Sequence, residues 1–163
     1  MKVALLTVSD RSSRGERPDA SGPALRAAVA AMGHEVVEAR IVPDDRAAIA
    51  AGIRALGALA DLVLTTGGTG VAPRDVTPEA TRDVVEREIP GLPEEIRRRS
   101  ALKDPRGLLS RATAGILPGG AVVLNLPSSP GGAVECLNFA APALAHAVEV
   151  SRGRVADCGK AGA

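Results

Sequence analysis

Aromatic side chains are almost missing from this chain. Of 163 residues, Phe139 is the sole aromatic, and Trp and Tyr do not occur. Binding of single-stranded nucleic acid by stacking bases on aromatic rings is therefore excluded as a main mode. A charge excess is missing as well: 20 Lys and Arg face 19 Asp and Glu, for a net charge of +1. Without a basic tail or stripe there is no electrostatic footprint for nucleic acid. Cysteine is scarce. Cys136 and Cys158 are too widely spaced for a metal motif and too few for a disulfide framework, so a reducing, cytoplasmic location is expected. No apolar run reaches membrane-spanning length, and no membrane partner is expected. The opening run MKVALLTV is short and is followed at once by Asp10 and Arg11, which reads as a first strand rather than a secretory signal.

What the chain has instead is aliphatic bulk. Apolar residues make up 45%, so the core must be built from Ala, Val, Leu and Ile, and the length suffices for one domain with a real core. Strand-like and helix-like segments alternate, which predicts an α/β fold with a mostly parallel sheet covered on both faces. Strands are expected at 3–8, 35–42, 62–65 and 121–126, with an extra, antiparallel one within 110–117. Helices are expected at 23–32, 46–59, 77–88 and 132–152, with a short one from about Pro93 through Ser100. Residues 1–152 read as a single domain, and the small, polar tail 153–163 is expected to fray.

Ligands of open α/β sheets bind outside the carboxyl ends of the strands. Four such ends carry small, polar or turn-forming residues here. The first bears Ser9-Asp10-Arg11-Ser12-Ser13, the second Pro43-Asp44-Asp45, the third Thr65-Thr66-Gly67-Gly68-Thr69-Gly70, and the last Asn125-Leu126-Pro127-Ser128-Ser129-Pro130-Gly131-Gly132. One continuous pocket lined by all four is the simplest expectation. The third is the most informative. Its glycines let the backbone approach a ligand, its threonines add hydroxyls, and its successive N–H groups can cradle an anion. Asp75 follows on the same loop. Thr77-Pro78-Glu79 then reads as a helix start, with Thr77 as N-cap.

Each of these signals has a plainer reading. A glycine-rich turn also serves as a tight strand-to-helix connection, and an Asp before a helix is commonly a cap. No Lys-Ser/Thr follows the glycines, so this is no Walker A loop, and GxGxxG is absent too. Of Asp44 and Asp45, one is expected to cap the next helix and the other to face the pocket. Carboxylates from separate strand ends suit Mg²⁺, a hard ion that bridges polyphosphate oxygens. No nucleophile constellation stands out. Cys136 reads as a small core residue, and His34 and His146 as structural or exposed. Arg97-Arg98-Arg99 reads as a solvated helix face. Arg74 and Arg111 are better placed for phosphate contact.

The motifs VSDR, VPDD, TTGGTGVAPRDVTPEAT, LSR and NLPSSPGG together resemble the molybdopterin adenylyltransferase family, which includes bacterial Mog proteins, MoaB proteins and the G domain of gephyrin. The resemblance runs from about Lys2 to Arg152, and the segment ECLNFAAPALAHAVEV is most similar to the Mog and gephyrin branch. It implies a three-layer αβα sandwich that forms a homotrimer, or a hexamer if the chain is MoaB-like. The implied reaction joins molybdopterin and ATP to give adenylyl-molybdopterin and pyrophosphate, with Mg²⁺ required. The implied next step is molybdate insertion by a partner protein. The family's catalytic aspartates fall on Asp44 and Asp75, which would also hold the Mg²⁺. The LSR motif adds Ser110 to the substrate-binding set of Ser9, Asp10, Thr65, Thr66, Gly67, Gly68, Thr69, Gly70, Arg74, Pro127, Ser128 and Ser129. A MoaB-type carrier with little catalysis is the alternative. One departure stands out: the family's last loop commonly reads LPGSP or LPGxP, and Ser128 occupies the glycine position. If that position needs a positive φ, Ser128 would be strained.

Overall fold

Strand β1 (Lys2–Val8) is apolar on both faces because both faces are covered. Val3 and Leu5 enter one hydrophobic cluster, and Ala4, Leu6 and Val8 enter another on the opposite side. The same alternation runs along β3 (Leu62–Thr66) and β6 (Val122–Leu126), whose residues are all buried. These strands lie in a six-stranded sheet of order β2-β1-β3-β6-β5-β4, in the computed structural model that describes residues 1–154. β2 (Glu35–Val42), β1, β3 and β6 are mutually parallel. β5 (Ala114–Ile116) runs antiparallel to β6, and β4 (Arg87–Glu88) antiparallel to β5.

Helices fill the outer layers. α2 (Ser21–Ala31), α5 (Gly91–Lys103) and α6 (Pro130–Ser151) cover one face, through Leu25, Val29, Leu92, Ile96, Leu137 and Leu144 among others. α3 (Arg46–Gly57) and α4 (Thr77–Arg82) cover the other, through Ile49, Ile53, Leu56 and Ala80. The core is aliphatic throughout, each fully buried Val, Leu or Ile contributing about 1.5–3 kcal/mol by burial. The αβα layering and mostly parallel sheet are those expected from the sequence.

Several local expectations are corrected. A short helix α1 (Asp10–Ser13), capped by Ser9 Oγ accepting from the Ser12 amide at 3.2 Å, follows β1 directly. α4 ends at Arg82 rather than running to residue 88, because Arg87 and Glu88 leave it to pair with Ile116 and Gly115. Thr77 is the first helical residue rather than the N-cap, and its hydroxyl donates instead to the Gly67 carbonyl at 2.9 Å. The expected strand at 110–117 shrinks to three residues, preceded by a 3-10 turn at Pro105–Leu109. At the C-terminus, Arg154 pairs with Asp61 and Glu149; Cys158 and the rest of the tail expected to fray lie outside the described residues. No described helix is long and apolar enough to cross a membrane.

Candidate active site

All four expected strand-end loops do lie at the carboxyl edge of the parallel strands, and the third dominates the site. After β3, the chain turns through Gly67 at φ 105° and Gly68 at φ 62°. A Cβ on Gly67 would collide with the Val8 carbonyl, and one on Gly68 with the Thr77 hydroxyl. Only glycine permits this path, since the left-handed region is costly for other residues.

A buried polar network holds the turn from below. Asn125 Nδ2 donates to Thr65 Oγ1 and Thr81 Oγ1, each at 2.9 Å, while its Oδ1 accepts from the Thr113 amide at 3.2 Å. Thr81 Oγ1 donates to the Thr77 carbonyl at 2.9 Å, and Thr77 N–H to the Gly68 carbonyl at 3.1 Å. Thr66 Oγ1 donates to the Pro127 carbonyl at 2.7 Å and ties the turn to the last loop. Every side chain here is partnered, as a buried polar cluster must be to rigidify rather than destabilise. Thr65 and Thr66 are thus buried supports of the turn, and Thr65 lines neither cavity described below.

Asp44 and Asp45 separate cleanly. Asp45 caps α3, its Oδ1 accepting from the Ala48 amide at 2.8 Å. Asp44 turns toward β1, where its Oδ2 accepts from the Asp10 amide at 2.8 Å while Asp10 Oδ1 accepts from the Asp44 amide at 3.0 Å. This reciprocal clasp joins the ends of β1 and β2. Arg74 closes over it, donating to Asp10 Oδ1 at 2.8 Å and to the Asp44 carbonyl at 3.0 Å. Burial pushes the Asp44 carboxyl above its ordinary range, with the Asp10 and Asp75 charges adding to the push against the Asp10 amide and Arg74. For Asp10 burial acts in the same sense, but the Asp44 amide and Arg74 together outweigh it and hold its carboxyl below the ordinary range. Asp75 is fixed within its own loop, its Oδ2 accepting from the Ala72 amide at 2.9 Å.

Instead of one continuous pocket there are two cavities with a common wall. The larger, about 550 Å³, lies between the glycine turn and α5 and includes Thr69, Gly70, Ser110, Pro127 and Ser129. The smaller, about 230 Å³, lies beside β1 and includes Ser9, Thr66 and Asp44. Gly68, Asp75 and Ser128 border both. Ser128 is strain-free, because no residue other than glycine has a positive φ among the described residues.

Asp44 and Asp75 are the two carboxylates at or beside the common wall that could hold a hard cation such as Mg²⁺. Asp44 and Asp75 come from different loops and repel one another, so a cation between them would relieve the charge. No group of three or more His, Cys, Asp or Glu side chains is placed to hold a metal among the described residues. A two-carboxylate site completed by substrate phosphates and water is the arrangement Mg²⁺ commonly takes.

Sequence reasoning missed part of the walls. Arg17, Asp19 and Ser21 border the smaller cavity, and Asp19 Oδ1 accepts from the Ser21 and Gly22 amides at 3.0 Å at the start of α2. The Asp-x-Ser-Gly spelling before an alanine-rich helix was the available signal. Ser100, Lys103, Glu135 and Cys136 border the larger cavity from α5 and α6, with no sequence signal beyond their helices. Burial pushes the Cys136 thiol up, in keeping with a packed rather than reactive cysteine. Arg98 and Arg99 are solvated and pair with Glu95, but Arg97 turns inward and donates to the Ala112 carbonyl at 2.9 Å. Arg111 is no free phosphate ligand either: its guanidinium engages Gly70, Glu79 and Asp75.

Residues 4–146 match the family model described as "Probable molybdopterin binding domain". A molybdopterin adenylyltransferase of Helicobacter pylori strain J99 is 37% identical over 155 residues, covering 93% of this chain and 88% of that protein. The solved structure of a molybdopterin biosynthesis enzyme MoaB from Thermus thermophilus superposes with a TM-score of 0.87 at 45% identity, covering 93% of this chain and 96% of that one. A molybdopterin biosynthesis Mog protein from Mycobacterium ulcerans gives a TM-score of 0.85 at 33% identity, covering 93% and 97%.

Proposed function

The chain belongs to the molybdopterin-binding domain family, and from that membership we propose that it is a Mg²⁺-dependent molybdopterin adenylyltransferase of molybdenum cofactor biosynthesis. The observation that carries the reading is the shared wall: two cavities meet at Gly68, Asp75 and Ser128, with Asp44 alongside. A reaction that joins two large substrates needs two chambers opening on one point.

In this reading residues 1–152 act as one substrate-binding unit. ATP and molybdopterin occupy the two cavities with their phosphates at the common wall. The glycine turn presents its backbone to them, and Ser9, Ser110, Ser128 and Ser129 supply hydroxyls around it. Asp44 and Asp75 would hold Mg²⁺, which supplies neutralisation of the ATP phosphates. The terminal phosphate of molybdopterin attacks the α-phosphorus in line, and pyrophosphate leaves. A phosphate monoester is already an anionic nucleophile, so no Ser–His pair is required. The rate comes from positioning and electrostatics, as is usual for phosphoryl chemistry. Arg74 holds Asp10 and the Asp44 carbonyl through one terminal nitrogen before substrate arrives, which leaves the rest of its guanidinium fork for a phosphate contact. The reading further places the protein in the cytoplasm as a homotrimer that hands its product to a molybdate-inserting protein.

The test is direct. Purified protein mixed with molybdopterin, ATP and Mg²⁺ is expected to release pyrophosphate and to yield adenylyl-molybdopterin by mass spectrometry. Asp75→Asn and Asp44→Asn should each lower turnover by about 10²–10³-fold, the scale of losing one electrostatic stabiliser. Near-normal turnover in both variants would sink the assignment. The 45% identity to a protein described as MoaB favours one second reading, a carrier that binds molybdopterin and releases no pyrophosphate. A hexamer in solution would accompany it.

A further inference from the structure

Arg111 has four hydrogen bonds, and all of them go to the loop that carries Asp75 or to the helix after it. Its N–H donates to the Thr69 carbonyl at 2.8 Å, and its Nε to the Gly70 carbonyl at 2.7 Å. One terminal nitrogen donates to the Asp75 carbonyl and the other to Glu79. Three of the four acceptors are main-chain carbonyls, so this residue fixes backbone at both ends of the 69–75 loop. Within that loop the Asp75 carboxylate is oriented by backbone alone. Its Oδ2 accepts from the Ala72 amide, and its N–H donates to the Ala72 carbonyl, both at 2.9 Å. What sets the loop therefore sets the carboxylate.

Arg111 is itself held from the opposite side of the larger cavity. Arg97, on α5, donates to the Ala112 carbonyl at 2.9 Å and to the Ser110 carbonyl at 3.4 Å, on either side of Arg111. α5 is thus linked to Asp75 through two guanidinium groups and one short loop segment.

We propose that Arg111 is a positioning residue for the transfer reaction: it holds the 69–75 loop so that Asp75 faces the junction of the two cavities, and Arg97 holds Arg111 in place. The inference rests on the role given to Asp75 above. It needs arginine, because an ammonium group is a point charge and cannot reach acceptors on separate sides as a planar fork does.

The experiment uses the full chain with Arg111→Lys, Arg111→Gln and, as control, Arg98→Gln, whose guanidinium pairs only with Glu95 on the surface. Folding is checked by circular dichroism. Pyrophosphate release is followed against Mg²⁺ concentration, and Mn²⁺ binding in the presence of ATP is followed by electron paramagnetic resonance. Both Arg111 variants are expected to lose about 10–100-fold in kcat and in Mn²⁺ affinity, the range for removing a group that orients a metal ligand. The KM for molybdopterin should stay put, and excess Mg²⁺ should restore part of the rate. Arg98→Gln should match wild type. If an Arg111 variant does not fold, Arg97→Gln is expected to move kcat and Mn²⁺ affinity in the same direction by less. Unchanged Mn²⁺ affinity and kcat in folded Arg111→Lys would overturn the proposal, as would a loss fully accounted for by the unfolded fraction. Wild-type protein that releases no pyrophosphate would refute the adenylyltransferase reading instead, and the Mn²⁺ measurement would still decide on the loop clamp.

Discussion

Asp44 and Asp45 are adjacent in sequence and differ in nearly everything else. The backbone turns between them, so Asp45 reaches forward to cap α3 and Asp44 reaches back to the Asp10 amide. Sequence could say that one would cap and the other face the site. It could not say which, because that depends on where Asp10 stands, 34 residues earlier. The cost of the arrangement falls on Asp44. Burial, Asp10 and Asp75 raise its carboxyl above the ordinary 3.8, so the native state binds its proton more tightly than the unfolded chain does. Stability from this group therefore falls as pH rises from that ordinary value through the raised one, and stays reduced above it. Asp44→Asn keeps an oxygen for the Asp10 amide and removes the charge. The ligand-free variant is expected to melt at or above the wild-type temperature at neutral pH while losing turnover. Differential scanning calorimetry across pH 3–8 (about this span brackets the carboxylates) should show the gain only above the acid range. A clear drop in melting temperature at neutral pH would contradict it.

At the scale of elements, the strands and long helices were legible because each carries a period or cap that local chemistry enforces. β1 and β6 are mostly apolar, as strands buried on both faces tend to be, with residues 3–6 and 122–124 as their unbroken apolar stretches, and α6 keeps its small apolar residues over 22 positions. The misreadings arose where a distant partner overrode local preference. α4 stops early because Arg87 and Glu88 find ladder partners in β5, whose position follows from residues about thirty places further on. Thr77 fails as a cap because the Gly67 carbonyl, ten residues back, takes its hydroxyl. The threonines of the turn read as ligand donors in sequence, yet Thr65 belongs to the network around Asn125. That network makes a prediction of its own. Thr77→Val preserves shape but leaves the Gly67 carbonyl without its donor in a buried setting, and should cost about 1–3 kcal/mol. Urea denaturation would measure it. Asn125→Leu, which takes the partner from Thr65 and the Thr113 amide and one of two partners from Thr81, should cost more than Thr77→Val; the reverse order would show that the network is not what supports the turn.

Over the whole molecule, the two ends of the sheet divide the work. The carboxyl end gathers the loops, the raised Asp44 and the two cavities. The opposite end is closed by Asp61, whose Oδ2 accepts from the Lys2 amide and whose Oδ1 accepts from Arg154, both at 2.9 Å. Arg152 adds bonds to the carbonyls of Ala60 and Gly119 at 2.6 and 2.7 Å, which pins the end of α6 under the sheet. Burial would raise the Asp61 carboxyl, but the Lys2 amide, Arg154 and Arg152 outweigh it and hold it below the ordinary 3.8. A depressed carboxyl stabilises the fold fully above its unfolded value, and that contribution is lost as pH falls through the folded one. Asp61→Ala should therefore destabilise the protein at neutral pH by about 1.5–3 kcal/mol, the range for hydrogen bonds to a charged group. The gap to wild type should close progressively as pH falls below about 4 and through the depressed value of the folded carboxyl, beyond which neither protein carries a charge at this point. Turnover at a temperature well below melting should be unchanged, because Asp61 lies at the far edge of the sheet from Asp44 and Asp75. Parallel measurement of unfolding free energy and pyrophosphate release would check both halves. A fall in turnover matching the fall in stability would mean that the two ends are mechanically coupled through the parallel strands, and that the site owes its geometry to the closure beneath it.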